Sequence, residues 1–339
     1  MSRLDVFQSM WAMEYRRPDR FELSLEEKIT KIAQAGFVGV SFDIGYHSFE
    51  TIEAAMPLLQ AHHLDLVYNA FIKSTEHYEE VIAFVASQPI KPRFIALIGQ
   101  IEPWDVNDVA AQTKQWMAIS EREGIPTYAE IHRNCMTNDL LFTLQLMEKV
   151  PDLLMVADLS HTLVNQEYYL PLHELANQRI SEFLTRAEAF HGRVATREQV
   201  QVPILFEQHK PWFELFKQWW LEGFQNWLAR HGKDSDDACV FLCELGPPVY
   251  AMTDSKGEEL SEGAEEEHPA EHTWRPKEPV PVVYNPKLPP EYFDVVVIDD
   301  NSSDGTAEYL RTRGIFVLGK HRSLGLTDSW NRAFSLAVE

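Results

Sequence analysis

Three cysteines in 339 residues, Cys135, Cys239 and Cys243, are too few and too unevenly spaced for a disulfide framework. Cys239 and Cys243 flank an apolar run and read as core packing. Long apolar stretches are missing too. None approaches the roughly 20 residues of a membrane span, and the N-terminus MSRLDVFQSMW has neither the apolar run nor the small-residue cleavage site of a secretory signal. These absences predict a soluble, cytoplasmic protein with no membrane partner. Positive charge is scarce: 30 Lys and Arg stand against 52 Asp and Glu, a net charge of −22. Such a chain repels phosphate backbones, which argues against nucleic acid as its main partner. The first turn from strand to helix lacks the Gly-rich phosphate fingerprint, which argues against an open dinucleotide-binding sheet.

What is present suits a large core, with 45% hydrophobic and 24% charged residues. Up to about Pro247 the chain alternates short β-rich runs with amphipathic stretches of helical length. The strand-like runs are residues 4–10, 38–42, 64–71, 94–98, 127–131, 153–157, 189–194 and 239–243. Helical patterns cover 24–35, opened by a Ser-x-x-Glu capping box at Ser24 and Glu27, then 49–62, 75–86, 106–123, 139–149, 181–187 and the aromatic-rich 211–231. Eight strands separated by helices predict an α/β fold, a (β/α)8 TIM barrel over residues 1–255.

Beyond Pro247 the pattern changes. Residues 256–292 are rich in Glu and in proline, at Pro269, Pro276, Pro279, Pro281, Pro286, Pro289 and Pro290, and read as an acidic linker. This segment takes the place of the eighth helix and has too little apolar face to cover a barrel, so an incompletely closed barrel is expected. Residues 293–339 begin a fresh α/β element, with DVVVIDDNSSDG as a buried-type strand ending in acids and a turn.

Four polar residues sit where strand-like runs end: Glu130 in TYAEIH, Asp158 in LLMVADLSH, His191 in AFHGRV and Glu244 in VFLCELGPP. Parallel barrels build their sites on that rim, and two Glu, one Asp and one His form a reasonable shell for a divalent ion. In so apolar a run as CVFLCELGPP an unpaired carboxylate costs several kcal/mol, a penalty that a metal removes. Asp158 and His161 form an Asp-x-x-His turn, a spacing that can place both side chains in one pocket mouth, with a helix N-cap as the alternative reading of Asp158.

YAEIHRN, DLSH, HGRV with Gln201-Val202-Pro203 shortly after, and CELGPP resemble the xylose isomerase-like TIM-barrel family of sugar and sugar-phosphate isomerases and epimerases. The resemblance implies one divalent ion (Mn, Mg, Co or Zn) held by Glu130, Asp158, His191 and Glu244, with Glu130 and Glu244 also moving protons. It implies substrate contacts at His161 and at Arg197, for which Arg193 competes. Apart from the resemblance, His132 after Glu130 and Trp11 at the end of the first strand are further candidates to line a sugar site, with core or rim packing the equal alternative for Trp11. The second acid found in some epimerases falls on Met136 here. The implied chemistry is proton transfer through an enediolate on a small sugar-derived molecule. An abasic-site endonuclease-like barrel and a non-catalytic binding barrel are the other two classes that this fold serves; the first calls for more His and Asp ligands and a basic groove.

VVVIDDNSSDGTAEYL, with Leu324-Gly325 and Asn331 downstream, resembles the first nucleotide-binding strand and loop of inverting glycosyltransferases with a GT-A fold, a Rossmann-like arrangement. This implies a nucleotide-like loop at Asp299 and Asp300. The family's metal-binding Asp-x-Asp has no counterpart up to Glu339, so no sugar transfer is expected. Trp212, Phe213, Phe216, Trp219, Trp220, Phe224 and Trp227 recur at helical spacing. They read as packing against the barrel, with a homo-oligomer interface as the alternative. Glu207 and His209 read as a solvated loop.

Overall fold

Runs of Val, Ile, Leu and Phe without alternation suit strands covered on both faces, the condition of a parallel sheet. The computed structural model describes residues 2–15, 22–102, 105–204 and 206–252, and two further strands, Val296–Asp299 and Phe316–Gly319. Strands β1 (Arg3–Ser9), β2 (Gly39–Ile44), β3 (Asp65–Ile72), β4 (Ile95–Gly99), β5 (Thr127–Glu130), β6 (Met155–Ala157), β7 (Ala187–His191) and β8 (Ala238–Cys243) pair in parallel in chain order, and β8 returns to β1. That last seam runs in register from Arg3 opposite Ala238 to Gln8 opposite Cys243. The barrel is therefore closed, contrary to the expected gap. Closure is a matter of backbone hydrogen bonds within the sheet, and these need no helix outside the seam.

Between the strands lie α1 (Leu25–Gln34), α2 (Phe49–His62), α3 (Thr75–Ser87), α4 (Val106–Arg122), α5 (Leu140–Lys149), α6 (Leu159–Asn165), α7 (Glu174–Leu184) and α8 (Lys210–His231). Polar side chains start most of them. Ser24 and Glu27 form the expected capping box, and Ser48, Ser74, Asp105 and Asp139 accept N–H groups of the first turns of α2 to α5. The helix expected over 181–187 is instead α7, which starts seven residues earlier. Its buried face, Ala176, Ile180, Phe183 and Leu184, has helical spacing. Ala187 opens β7, because pairing into the sheet outweighs its helix propensity.

Inside the barrel, Phe7, Val67, Ala96, Val156, Ala189, Val240 and Leu242 form one buried cluster, a packed plug under the C-terminal mouth. Outside it, Phe216, Trp219, Trp220, Phe224 and Trp227 of α8 are buried within the chain. Trp220 meets Phe241 edge-on at 5.2 Å and Phe224 meets Phe190 at 4.8 Å. Barrel packing thus accounts for most of the aromatic stripe, and only Trp212 and Phe213 remain half-buried. Cys135, Cys239 and Cys243 are free thiols. Among the described residues no helix is long and apolar enough to cross a membrane.

The chain divides into two compact units, Met1–Met252 and Thr253–Glu339. In the second, β9 (Val296–Asp299) and β10 (Phe316–Gly319) pair in parallel. Asp299 ends β9. Asp300, the linker and the remainder of the glycosyltransferase-like segment lie outside the described residues.

Candidate active site

Eight parallel strands deliver their C-terminal ends to one face, so residues far apart in sequence meet there. Glu130 ends β5, His191 ends β7, and Asp158 and Glu244 directly follow β6 and β8. All four are buried. His191 Nδ1 lies 2.8 Å from Glu244 Oε2, 3.7 Å from Glu130 Oε1 and 3.8 Å from Asp158 Oδ2. Ligand atoms of Glu130, Asp158 and His191 all fall within 4.8 Å of one another, and so do those of Glu130, His132 and His161.

Asp158 is the helix N-cap that stood as the alternative to a ligand role, and its two oxygens face different ways. Its Oδ1 caps α6, accepting from the Ser160 N–H at 3.0 Å and from the Ser160 hydroxyl. Its Oδ2 faces the cluster, where the Arg193 guanidinium donates to it at 2.5 Å. Arg193 also reaches Glu244 Oε1 at 3.2 Å and Ser160 Oγ at 3.0 Å. It is buried within this cluster. Arg197 is not: it pairs with Glu198 and Glu167 and lies over the Tyr169 ring, 3.6 Å from its centroid. Gly192 permits this arrangement between His191 and Arg193, since a Cβ there would stand 2.3 Å from Cε1 of Phe241.

His161, one turn into α6, has a guanidinium at each ring nitrogen: Arg193 Nη2 at 2.6 Å from Nε2 and Arg133 Nη1 at 3.1 Å from Nδ1. The His132 ring packs on it, centroids 3.9 Å apart. Trp11 lies in a short 3-10 turn after β1 and meets Tyr250 edge-on at 5.1 Å. His209, expected in a solvated loop with Glu207, is buried, with Nδ1 2.7 Å from the Pro203 carbonyl, while Glu207 is exposed. Met136 is buried.

Burial would raise every carboxylate here, and the neighbours decide which ones yield. Burial pushes Glu130 well above its ordinary 4.5, and repulsion from Glu244 and Asp158 adds to this against the pull of His191. For Asp158 and Glu244 burial acts the same way, but Arg193 and the nearby imidazoles outweigh it and hold both below the usual range. Burial opposes a charge on His191, yet Glu130 and Glu244 outweigh it and raise that imidazole well above 6.5. Burial lowers His132 to about 4 and takes His161 well below 6.5.

Two residues at the mouth escaped the sequence reading. Asp43, next to the end of β2, accepts from Asn69 Nδ2 on β3 at 2.7 Å. Burial, then repulsion from Glu244, raises it to about 7. It sits in VSFDIG much as Glu130 sits in TYAEIH, so an acid ending an apolar run was the available signal. Ser160 carried no such signal.

The residues fit a cation. Glu130 Oε2 is buried without a hydrogen bond, and Glu244 Oε2 and His191 Nδ1 are buried as an ion pair at 2.8 Å. Buried polar atoms rarely go unpartnered, and these are carboxylate and imidazole atoms of the type that ligate divalent metals.

No protein-family model matches the sequence, and no curated protein matches it. Solved structures similar to this chain include a xylose isomerase-like TIM barrel protein from Mycobacterium smegmatis in complex with magnesium, at 12% identity over 71% of this chain and 90% of that one, TM-score 0.49. A probable 3-DHS dehydratase involved in petrobactin synthesis from Bacillus anthracis is similar at 15% identity over 71% and 93% of the two chains, TM-score 0.45. A D-allulose 3-epimerase from Methylomonas sp. in complex with D-allulose is similar at 12% identity over 70% and 83%, TM-score 0.44.

Proposed function

We propose that the barrel is a divalent-metal-dependent sugar isomerase or epimerase, working by proton transfer on an α-hydroxy ketone through an enediolate. The observation that carries this reading is the convergence of three carboxylates and one imidazole, Glu130, Asp158, Glu244 and His191, in a buried cluster at the barrel mouth, with Glu130 Oε2 left without a hydrogen bond. Glu130, Asp158, His191 and Glu244 would hold the ion. Their oxygen-rich donor set favours Mg or Mn, and the single imidazole also suits Co or Zn. When bound, the ion supplies Lewis-acid polarisation that acidifies the carbon-bound proton of the substrate.

The remaining work falls to side chains. The metal-free cluster sets its two glutamates apart, with Glu130 pushed toward its protonated form and Glu244 held ionised. A bound ion would hold both as carboxylates, so their acid and base roles rest on their placement at the mouth and not on that divergence. Arg193 presents donors at the same mouth, suited to the charge of an enediolate, and His161 lies beside it as a substrate contact. Trp11 and Tyr250 contribute aromatic surface for a sugar ring. Arg197, engaged with Glu167, Glu198 and Tyr169, belongs outside this set.

Elemental analysis and turnover of a ketohexose panel in D2O test the reading. About one ion per chain, deuterium incorporated at the reacting carbon, and losses of about 10²–10⁴-fold in Glu130→Gln and Glu244→Gln are expected. His161→Ala should impair turnover while retaining the ion. Absence of bound metal together with no thermal shift from Mn²⁺, Mg²⁺, Co²⁺ or Zn²⁺ would overturn it. Turnover without exchange would replace proton transfer with a hydride shift.

A further inference from the structure

A neutral imidazole has one N–H and one lone pair, and a guanidinium only donates. His161 nevertheless has a guanidinium at both ring nitrogens, Arg193 at Nε2 and Arg133 at Nδ1. In either tautomer one of the two faces an N–H. Arg193 is the better anchored, through Asp158, Glu244 and Ser160, and at 2.6 Å it is nearer Nε2 than is Asp158 Oδ2 at 3.4 Å. Nε2 is then the acceptor, and Nδ1 carries a proton aimed at Arg133.

Arg133 is thus left with a donor against a donor. It is half-buried, on the loop that follows β5, and among the described residues no Asp or Glu pairs with it, although the chain carries 52 acids against 30 Lys and Arg. The other mouth arginines are matched: Arg193 with Asp158 and Glu244, Arg197 with Glu167 and Glu198. An acceptor placed between Arg133 and His161 Nδ1–H would satisfy both at once, and an oxyanion does so best, because its charge complements a guanidinium.

We propose that the substrate carries an oxyanion group, a carboxylate or a phosphate, received by Arg133 together with the Nδ1–H of His161. This deepens the sugar isomerase or epimerase reading and rests on it, narrowing the substrate from sugars at large to acidic ones. Arg133 is the specificity-determining residue, outside the ligand set itself.

Calorimetric titration of the Mn²⁺-loaded full chain with D-fructose, D-fructuronate and D-fructose 6-phosphate tests it. At least one of the two anions should bind about 10-fold or more tightly than D-fructose, the range of a charge-assisted hydrogen bond. Whichever is preferred tells carboxylate from phosphate. Arg133→Gln should abolish that preference while leaving D-fructose binding unchanged, and Arg133→Lys should recover part of it. Equal binding of all three, no binding by either anion, or a preference that survives Arg133→Gln would overturn the inference. Heats of binding are read apart from turnover, so the two readings fail separately. An Arg133-dependent anion preference with no turnover of D-fructose or of either anion sinks the isomerase reading alone, whereas turnover of D-fructose without an anion preference sinks this one alone.

Discussion

Nδ1 of His191, the last residue of β7, stands 2.8 Å from Oε2 of Glu244, the first residue beyond β8. Burial disfavours charge on this imidazole, but Glu130 and Glu244 outweigh it, so the metal-free protein keeps a proton where the carboxylates converge. A metal takes the neutral imidazole and must displace that proton. Mn²⁺ binding is therefore expected to release protons and to weaken as pH falls. Titrations in two buffers of different ionisation heat measure the release; a heat independent of buffer would contradict it.

Arg193 is the buried cation that balances Asp158 and Glu244 in the metal-free protein. Arg193→Met leaves both carboxylates without it, a loss of about 3–5 kcal/mol for a broken buried pair. Urea unfolding in EDTA should show that loss, and saturating Mn²⁺ should restore more stability to the variant than it adds to the wild type. Unchanged stability in EDTA would mean that the pairing contributes nothing.

Asp43 gives a signed pH dependence. Its carboxyl titrates near pH 7 in the folded chain against 3.8 ordinarily, so the folded state binds this proton more tightly. The stability it contributes is complete below the unfolded value and is lost as pH rises through about 7. Metal-free wild type should lose stability across that window, with Glu130 adding to the slope in the same direction. Asp43→Asn should flatten the slope without abolishing it, as read from urea midpoints at successive pH values.

Gly192 faces a ring that has little room to move. A Cβ there meets Phe241 Cε1 at 2.3 Å, and that ring is already packed by Trp220 and Phe224. Gly192→Ala should cost about 1–3 kcal/mol, as overpacking does, and should weaken Mn²⁺ binding by displacing His191. Adding Phe241→Leu should recover part of both, a coupling that a double-mutant cycle measures.

The seam of β1 with β8 closes the barrel inside the unit Met1–Met252. Deleting residues 279–339 should therefore leave the melting temperature of the barrel and its metal content unchanged. A truncated chain that fails to fold would make the segment an integral part of the barrel.

The eight strands were legible because fully buried parallel strands must be apolar nearly throughout, and Glu130, Asp158, His191 and Glu244 because a polar residue ending such a run has few other reasons to be there. Asp43 carried the same mark on an early strand, and only the closed ring, which brings β2 to the same mouth as β8, shows that its charge meets that of Glu244. Arg193 and Arg197 are indistinguishable as letters four positions apart. The path of the chain past Gly192 takes one into the cluster and leaves the other beside Tyr169. Closure itself was misjudged from a missing helix pattern, because amphipathicity reports what covers a sheet and says nothing of whether its edges pair. The sequence by itself determined the alternation of elements and the residue types at the rim, since both follow from local burial. The tertiary structure decided which of those residues share a proton, a cation or a partner, since such energies depend on distances between strands that no local pattern encodes.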